Sequence, residues 1–108
     1  MEEALRAIAE PHRRKILTLV SSRELSAGEI AARFEITRPA VSQHLTVLRG
    51  AGLIAERRDG TRRLYRIRAE GFADLKSFLE TFWDEGLERL KVAAENEEGR
   101  RRRGRRAA

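Results

Sequence analysis

Arg38, Ser42, Gln43 and Thr46 follow one another at intervals of four, one and three residues. At about 100° per residue of helix, that spacing turns all four to one side. The types suit one chemistry. An arginine can fork onto a guanine edge, a glutamine onto adenine, and serine or threonine can pair with either. A second group crowds around Asp59-Gly60: Arg57, Arg58, Thr61, Arg62 and Arg63. Such a cluster at the tip of a hairpin can hold phosphates or enter a minor groove. Thr37, just before the first group, and His44, within it, are expected to reach phosphates as well; the alternative for His44, which lies beside Val41 and Leu48, is a structural histidine at the helix edge. The plain alternative for each set is an ordinary solvated, salt-bridged surface. His12 is expected to be a surface residue.

Other chemistry is poorly supplied. The 108 residues include no cysteine, which excludes a disulfide framework, a thiolate metal site and a thiol switch. No Ser/His/Asp set, phosphate-cradling glycine loop or metal triad is visible, so no enzyme and no cofactor are expected. No apolar run approaches the 18 or so residues of a membrane span. The acidic start, MEEALRAIAE, lacks a signal-peptide pattern, and a cytoplasmic protein is expected. Net charge is +6 but unevenly placed. Residues 38–68 carry eight arginines against Glu56 and Asp59. Residues 69–99 carry nine acids against three basic residues, and residues 100–108 carry six arginines and no acid. The middle of the chain is therefore a candidate polyanion-binding face.

The elements that must position these residues can be read from periodicity. Residues 2–9 form a short helical pattern. Pro11 suits the first position of a second helix, to Ser21 or Ser22, with Ile16, Leu17, Leu19 and Val20 inward. Ser26-x-x-Glu29 is a capping box opening a third helix, Ala27 to Phe34. After a connection of about three residues, Thr37 caps a fourth, Arg38 to Arg49, with Val41, Leu45 and Leu48 as its core stripe. Gly50 and Gly52 mark its end, one of them left-handed. Residues 53–58 and 61–68 alternate around Asp59-Gly60, which predicts a hairpin with a type I′ turn. Tyr65 and Ile67 are expected to pack inward, and Arg66 and Arg68 to pair with the acidic last helix. That helix runs from about Ala69 to Glu95, with Gly86 a weak point. The order α-α-α-α-β-β-α defines a mainly α fold with a β wing. Residues 1–98 are expected to form one domain and residues 99–108 a disordered arginine-rich tail. A core this small is marginal alone, so association is a natural supplement.

Two helices with a short connection, followed at once by an arginine-rich hairpin, make a winged helix-turn-helix. The chain resembles the ArsR-type winged-helix transcriptional repressors. The segments that carry the resemblance are AEPHRRKIL at 9–17, LSAGEIA at 25–31, RPAVSQHLTVLR at 38–49, AGLI at 51–54, Arg57-Arg58-Asp59-Gly60 and Tyr65, within roughly residues 3–95. The resemblance implies a homodimer built on the first and last helices that binds an inverted-repeat operator in double-stranded DNA. Leu5, Ile8, Leu75, Phe78, Leu79, Phe82 and Trp83 are the expected dimer contacts. The family's metal sensors use cysteines before the recognition helix, or Asp, His and Glu on the last helix. Neither set is present, so the resemblance points to the metal-independent branch. The alternative is a sensor-repressor with a metal or small molecule at the dimer interface.

Overall fold

Two helices begin the chain, α1 (Glu2–Ile8) and α2 (Pro11–Ser22). The turn between them is built by α2. Pro11 stands at its start, and the Glu10 side chain accepts from the Arg13 N–H at 2.9 Å. Arg13 then donates through Nε to the Ala7 carbonyl at 2.7 Å and through Nη2 to Arg6 at 3.2 Å. Arg14 donates to Ile8 at 2.7 Å. Arg13 and Arg14 thus satisfy carbonyls at the end of α1. Ala4 and Ala7 are buried, and their small side chains let α1 lie close against its neighbours.

The computed structural model describes residues 1–107, with the side chains of all but Asp84, Leu87 and residues 102–107. It comprises two units, Met1–Leu75 and Lys76–Ala108. In the first, α2 leads to a two-residue strand, β1 (Leu25–Ser26), then α3 (Ala27–Ala31) and α4 (Arg38–Gly50), then β2 (Ile54–Asp59) and β3 (Arg62–Ile67). The sheet order is β1-β3-β2, antiparallel throughout, with Leu25 opposite Tyr65 and Glu56 opposite Tyr65 from the other side. Ile16 and Val20 of α2, Ile30 of α3, Val41, Leu45 and Leu48 of α4, and Leu53, Ile54 and Tyr65 form the core. The predicted inward stripe of α4 and the inward Tyr65 are thereby found as expected, and Ile67 packs half-buried against the same core.

Several details differ from the sequence expectation. The strand β1 is too short to show alternation, and only its partner reveals it. Helix α3 stops at Ala31, because Arg33 and Phe34 bond back to Ile30 and Ala31 over three residues and tighten the last turn. The connection to α4 is therefore six residues, 32–37, held by half-buried Phe34 and Ile36. The hairpin turns on Gly60-Thr61, with Asp59 already paired to Arg62. Positive φ occurs there at Gly60 alone (65°), the type II′ pattern rather than I′. At the end of α4 the left-handed residue is Gly52 (φ 76°).

The single long last helix is replaced by a 3₁₀ turn (Ala69–Phe72), α5 (Ala73–Phe82), a π turn (Trp83–Leu87) and α6 (Glu88–Ala107). The π turn contains Gly86, the weak point of the sequence pattern. Backbone helix continues through residues 99–107, where composition predicts a disordered tail. Glu97 lies 3.9 Å from Arg100 and 4.0 Å from Arg101, pairs one helical turn apart that support its start. Ala108 and the side chains of residues 102–107 lie outside the described residues.

Candidate nucleic-acid interface

The first turn of α4 is fixed by Thr37, whose Oγ1 accepts from the Ala40 N–H at 3.2 Å, and by Pro39 beside it. With Val41, Leu45 and Leu48 buried, helical geometry leaves Arg38, Ser42, Gln43 and Thr46 exposed on the opposite side, as the spacing predicts. Thr46 Oγ1 donates to the Ser42 carbonyl at 3.0 Å, which engages its proton and leaves its lone pairs. Ser42 and Gln43 have no side-chain hydrogen bond among the described residues, so their donors and acceptors face solvent.

The wing reaches the start of this helix. A cleft of about 400 Å³ is lined by Ser26, Ala27 and Gly28 at the start of α3, Arg38 at the start of α4, and Thr61, Arg62 and Arg63 at the hairpin. Three arginines from two elements thus line one open cleft. The structure brings Arg38 together with the wing group, a proximity that sequence separation hides.

The wing arginines are not equivalent. Arg57 forks onto the Glu24 carboxylate, with contacts of 2.7, 2.7 and 3.0 Å. This pairing holds the Glu24 carboxyl below the usual carboxylate range. Arg62 meets Glu29 at 2.6 Å. Glu29 also closes the capping box with Ser26, whose hydrogen bonds, followed by the charge of Arg62, hold its carboxyl down. Arg63 lies 3.7 Å from Glu56, which also pairs closely with Arg49. Arg58 is exposed and forms no ion pair among the described residues. The side chains of Arg57, Arg62 and Arg63 are each more than half exposed, so these bonds are weak and open to exchange. Arg68, expected to pair with the last helix, turns toward the Gly52 carbonyl at 3.4 Å.

His44 lies elsewhere than on the reading face. Its ring stacks on His12, with centroids 5.4 Å apart and planes at 15°. His44 Nδ1 is 3.4 Å from Arg13 Nη1 and 3.9 Å from Glu10 Oε2, while His12 Nδ1 meets Glu10 Oε1 at 2.7 Å. One ring nitrogen of His44, Nδ1, thus faces a cluster at the α1–α2 turn. His12 and Glu10 belong to that cluster and not to an ordinary surface. The one available signal was the position of His44 beside the core stripe.

Burial opposes ionisation of Glu10, but the His12 hydrogen bond, the Arg13 N–H and the charges of the two histidines overturn that, lowering its pKa from 4.5 to about 2. A carboxyl depressed in the folded state contributes stability above its unfolded pKa and loses it as pH falls through the folded one. The stability of the protein is therefore expected to fall between about pH 4.5 and about 2. Glu10→Gln should flatten that segment in chemical denaturation series across pH. An unchanged slope in the variant would show that Glu10 is not the group responsible.

In the second unit, Phe78, Leu79, Phe82 and Trp83 are 41–66% exposed, and the rings of Phe78 and Phe82 stack at 6.4 Å. Leu90 and Val92 extend the apolar surface onto α6. In the first unit Leu5 and Ile8 are half-buried and Leu75 is buried, so these three are already largely committed to their own chain.

The family model for bacterial regulatory proteins of the arsR family matches residues 10–56. An HTH-type transcriptional regulator of Mycobacterium tuberculosis is 41% identical over 86 residues, 80% of each chain. The transcriptional repressor SdpR of Bacillus subtilis is 34% identical over 86 residues, 80% of this chain and 96% of that one. Among solved structures, a possible transcriptional regulator for arsenical resistance has a TM-score of 0.71 at 42% identity, covering 82% of this chain and 93% of the other. A homodimeric winged helix-turn-helix DNA-binding domain from Mycobacterium bovis has a TM-score of 0.62 at 33% identity, covering 82% of each.

Proposed function

The chain belongs to the arsR family of bacterial regulatory proteins, transcription regulators with a winged helix-turn-helix, and from that premise we propose a homodimeric repressor of an inverted-repeat operator. The observation that carries this reading is the exposed face of α4, with its unpartnered Ser42 and Gln43, beside the cleft shared by Arg38 and the wing. Arg38, Ser42, Gln43 and Thr46 read base edges in the major groove. Thr37 and the wing residues Arg57, Arg58, Thr61, Arg62 and Arg63 hold phosphates. Nδ1 of His44 is engaged by Glu10 and Arg13, so a phosphate contact by this residue falls to its Nε2.

Dimerisation runs through the exposed apolar face of α5 and the π turn, with Leu5, Ile8 and Leu75 as lesser contributors from the first unit. The homodimeric state of the similar Mycobacterium bovis domain supports a dimer, and the exposure of Phe78, Leu79, Phe82 and Trp83 supports this surface for it. Two-fold symmetry would set two recognition helices roughly one DNA turn apart, about 34 Å. Operator binding in this reading needs no metal, because α4 is positioned by its own cap and core contacts, and the chain has no cysteine for thiolate chemistry.

Selection of bound sequences from random DNA tests the reading. An inverted repeat is expected, with affinity falling steeply in salt. Gln43→Ala should then relax preference at one base pair per half-site by about 1–3 kcal/mol. Equal weakening on every sequence would remove Gln43 from base readout, and recovery of no enriched motif would remove the operator.

A further inference from the structure

We propose that Glu10, His12 and His44 form a binding site for one divalent transition-metal cation of the Zn²⁺ class. The chain has two histidines and no cysteine. Those two histidines, from the start of α2 and the middle of α4, stack against each other and share one carboxylate. One ligand atom from each of the three residues lies within 4.8 Å of the others. Three donors so spaced reach an ion at about 2.1 Å by moving inward on the order of an ångström or less. Two imidazole nitrogens and one carboxylate oxygen suit Zn²⁺, Ni²⁺ or Co²⁺, whereas Mg²⁺ and Ca²⁺ require oxygen-rich cages.

The surroundings fit an ion that exchanges with solvent. The side chains are 19%, 28% and 41% exposed for His44, Glu10 and His12. The parallel rings cannot both hold an ion in their planes as they stand. His12, the most exposed, can turn to meet it. His12 also lines an open cleft of about 580 Å³ with Lys15, Phe34 and Glu35, which gives an entry path and room for a water as fourth ligand. Glu10 is held in place from behind, its Oε2 accepting the Arg13 N–H at 2.9 Å.

Basic groups oppose the ion, and Lys15 and Arg33 line the cleft beside His12. Arg13 Nη1 stands 3.4 Å from His44 Nδ1, and its other nitrogens are anchored on the carbonyls of Ala7 and Arg6. The site therefore already holds a fixed positive charge, and binding should be moderate and readily reversed. An ion there would tie the first turn of α2 to α4, next to Gln43. The inference goes beyond the proposed repressor function, and its test needs no DNA, so either can fail without the other.

The test is calorimetric titration of the untagged full chain with Zn²⁺, with Co²⁺ as a visible-absorption probe. The expected result is one saturable ion per chain, with Co²⁺ bands of tetrahedral nitrogen and oxygen coordination and no response to Mg²⁺. His12→Gln, at a half-exposed position, should weaken Zn²⁺ by about tenfold or more, as should His44→Gln. Asp74→Asn, on the acidic surface of α5, should change nothing. Circular dichroism confirms that each variant is folded. The absence of saturable binding, or equal binding by folded His12→Gln, would overturn the site. So would loss of binding in Asp74→Asn alone.

Discussion

Phe82→Glu combined with Trp83→Glu is expected to yield a monomer that keeps its winged helix and loses operator binding. Trp83 is 66% and Phe82 41% exposed, so neither replacement removes a packed core side chain. The core of the first unit, from Ile16 through Leu53 and Ile54 to Tyr65, contains neither residue. What the change removes is two members of an exposed apolar set that also includes Phe78, Leu79, Leu90 and Val92, the proposed dimer contact. In the proposed dimer the introduced carboxylates, two from each protomer, would face one another and repel. A monomer offers one recognition helix, so the gain from holding two half-sites at once is lost. That gain is commonly about 10²–10⁴ in affinity. Sedimentation measures the mass and fluorescence anisotropy the operator affinity. A double variant that sediments as a dimer and binds unchanged would place the dimer contact elsewhere.

The second large effect is on stability. A Cβ at Gly71 would stand 1.8 Å from the Gly52 carbonyl oxygen and 2.7 Å from its carbon. The obstacle is backbone, not a side chain that can swing away. Gly71 is where the chain leaving β3 passes directly over the end of α4, so any relief moves one of those segments. Gly71→Ala is expected to cost about 2–4 kcal/mol, in the range of severe overpacking. For a domain of this size, that lowers Tm by roughly 4–8 °C per kcal/mol. Gly50→Ala is the control with the opposite sign. Nothing lies within 4 Å of its Cβ position, which is in the last turn of α4. Alanine there should stabilise by about 0.4–1 kcal/mol. Thermal melts of the two variants decide the matter, and a Gly71→Ala protein as stable as its parent would refute the close approach.

These two glycines show what could be read from the sequence. Gly50 follows a helical pattern, and its place at the end of α4 is legible. Gly71 has no local signature, because its constraint comes from Gly52, on the far side of the hairpin. The same division holds at the interface. The outward set on α4 follows from helical period alone, once Val41, Leu45 and Leu48 are recognised as inward. The partners of the wing arginines do not, since Glu24 and Glu29 lie 33 residues from Arg57 and Arg62. The hairpin is legible as Asp-Gly, but its type depends on which residues pair last, and Asp59 stands in the ladder. The Glu10–His12–His44 cluster is invisible for the same reason as the Gly71 contact. Two elements distant in sequence supply it.

The braced wing has a consequence in the language of ion exchange. Glu24 and Glu29 are resident counterions. Arg57 and Arg62 already hold a covalently tethered anion, so a phosphate arriving at either displaces a carboxylate and not only solution salt. The number of ions released, read from the slope of log affinity against log salt at about 0.9 per phosphate, should undercount the phosphates this wing touches. Glu24→Gln and Glu29→Gln should steepen the slope toward the number of arginines. In the proposed complex the two carboxylates would oppose every sequence equally, lowering affinity for DNA in general and leaving discrimination to α4.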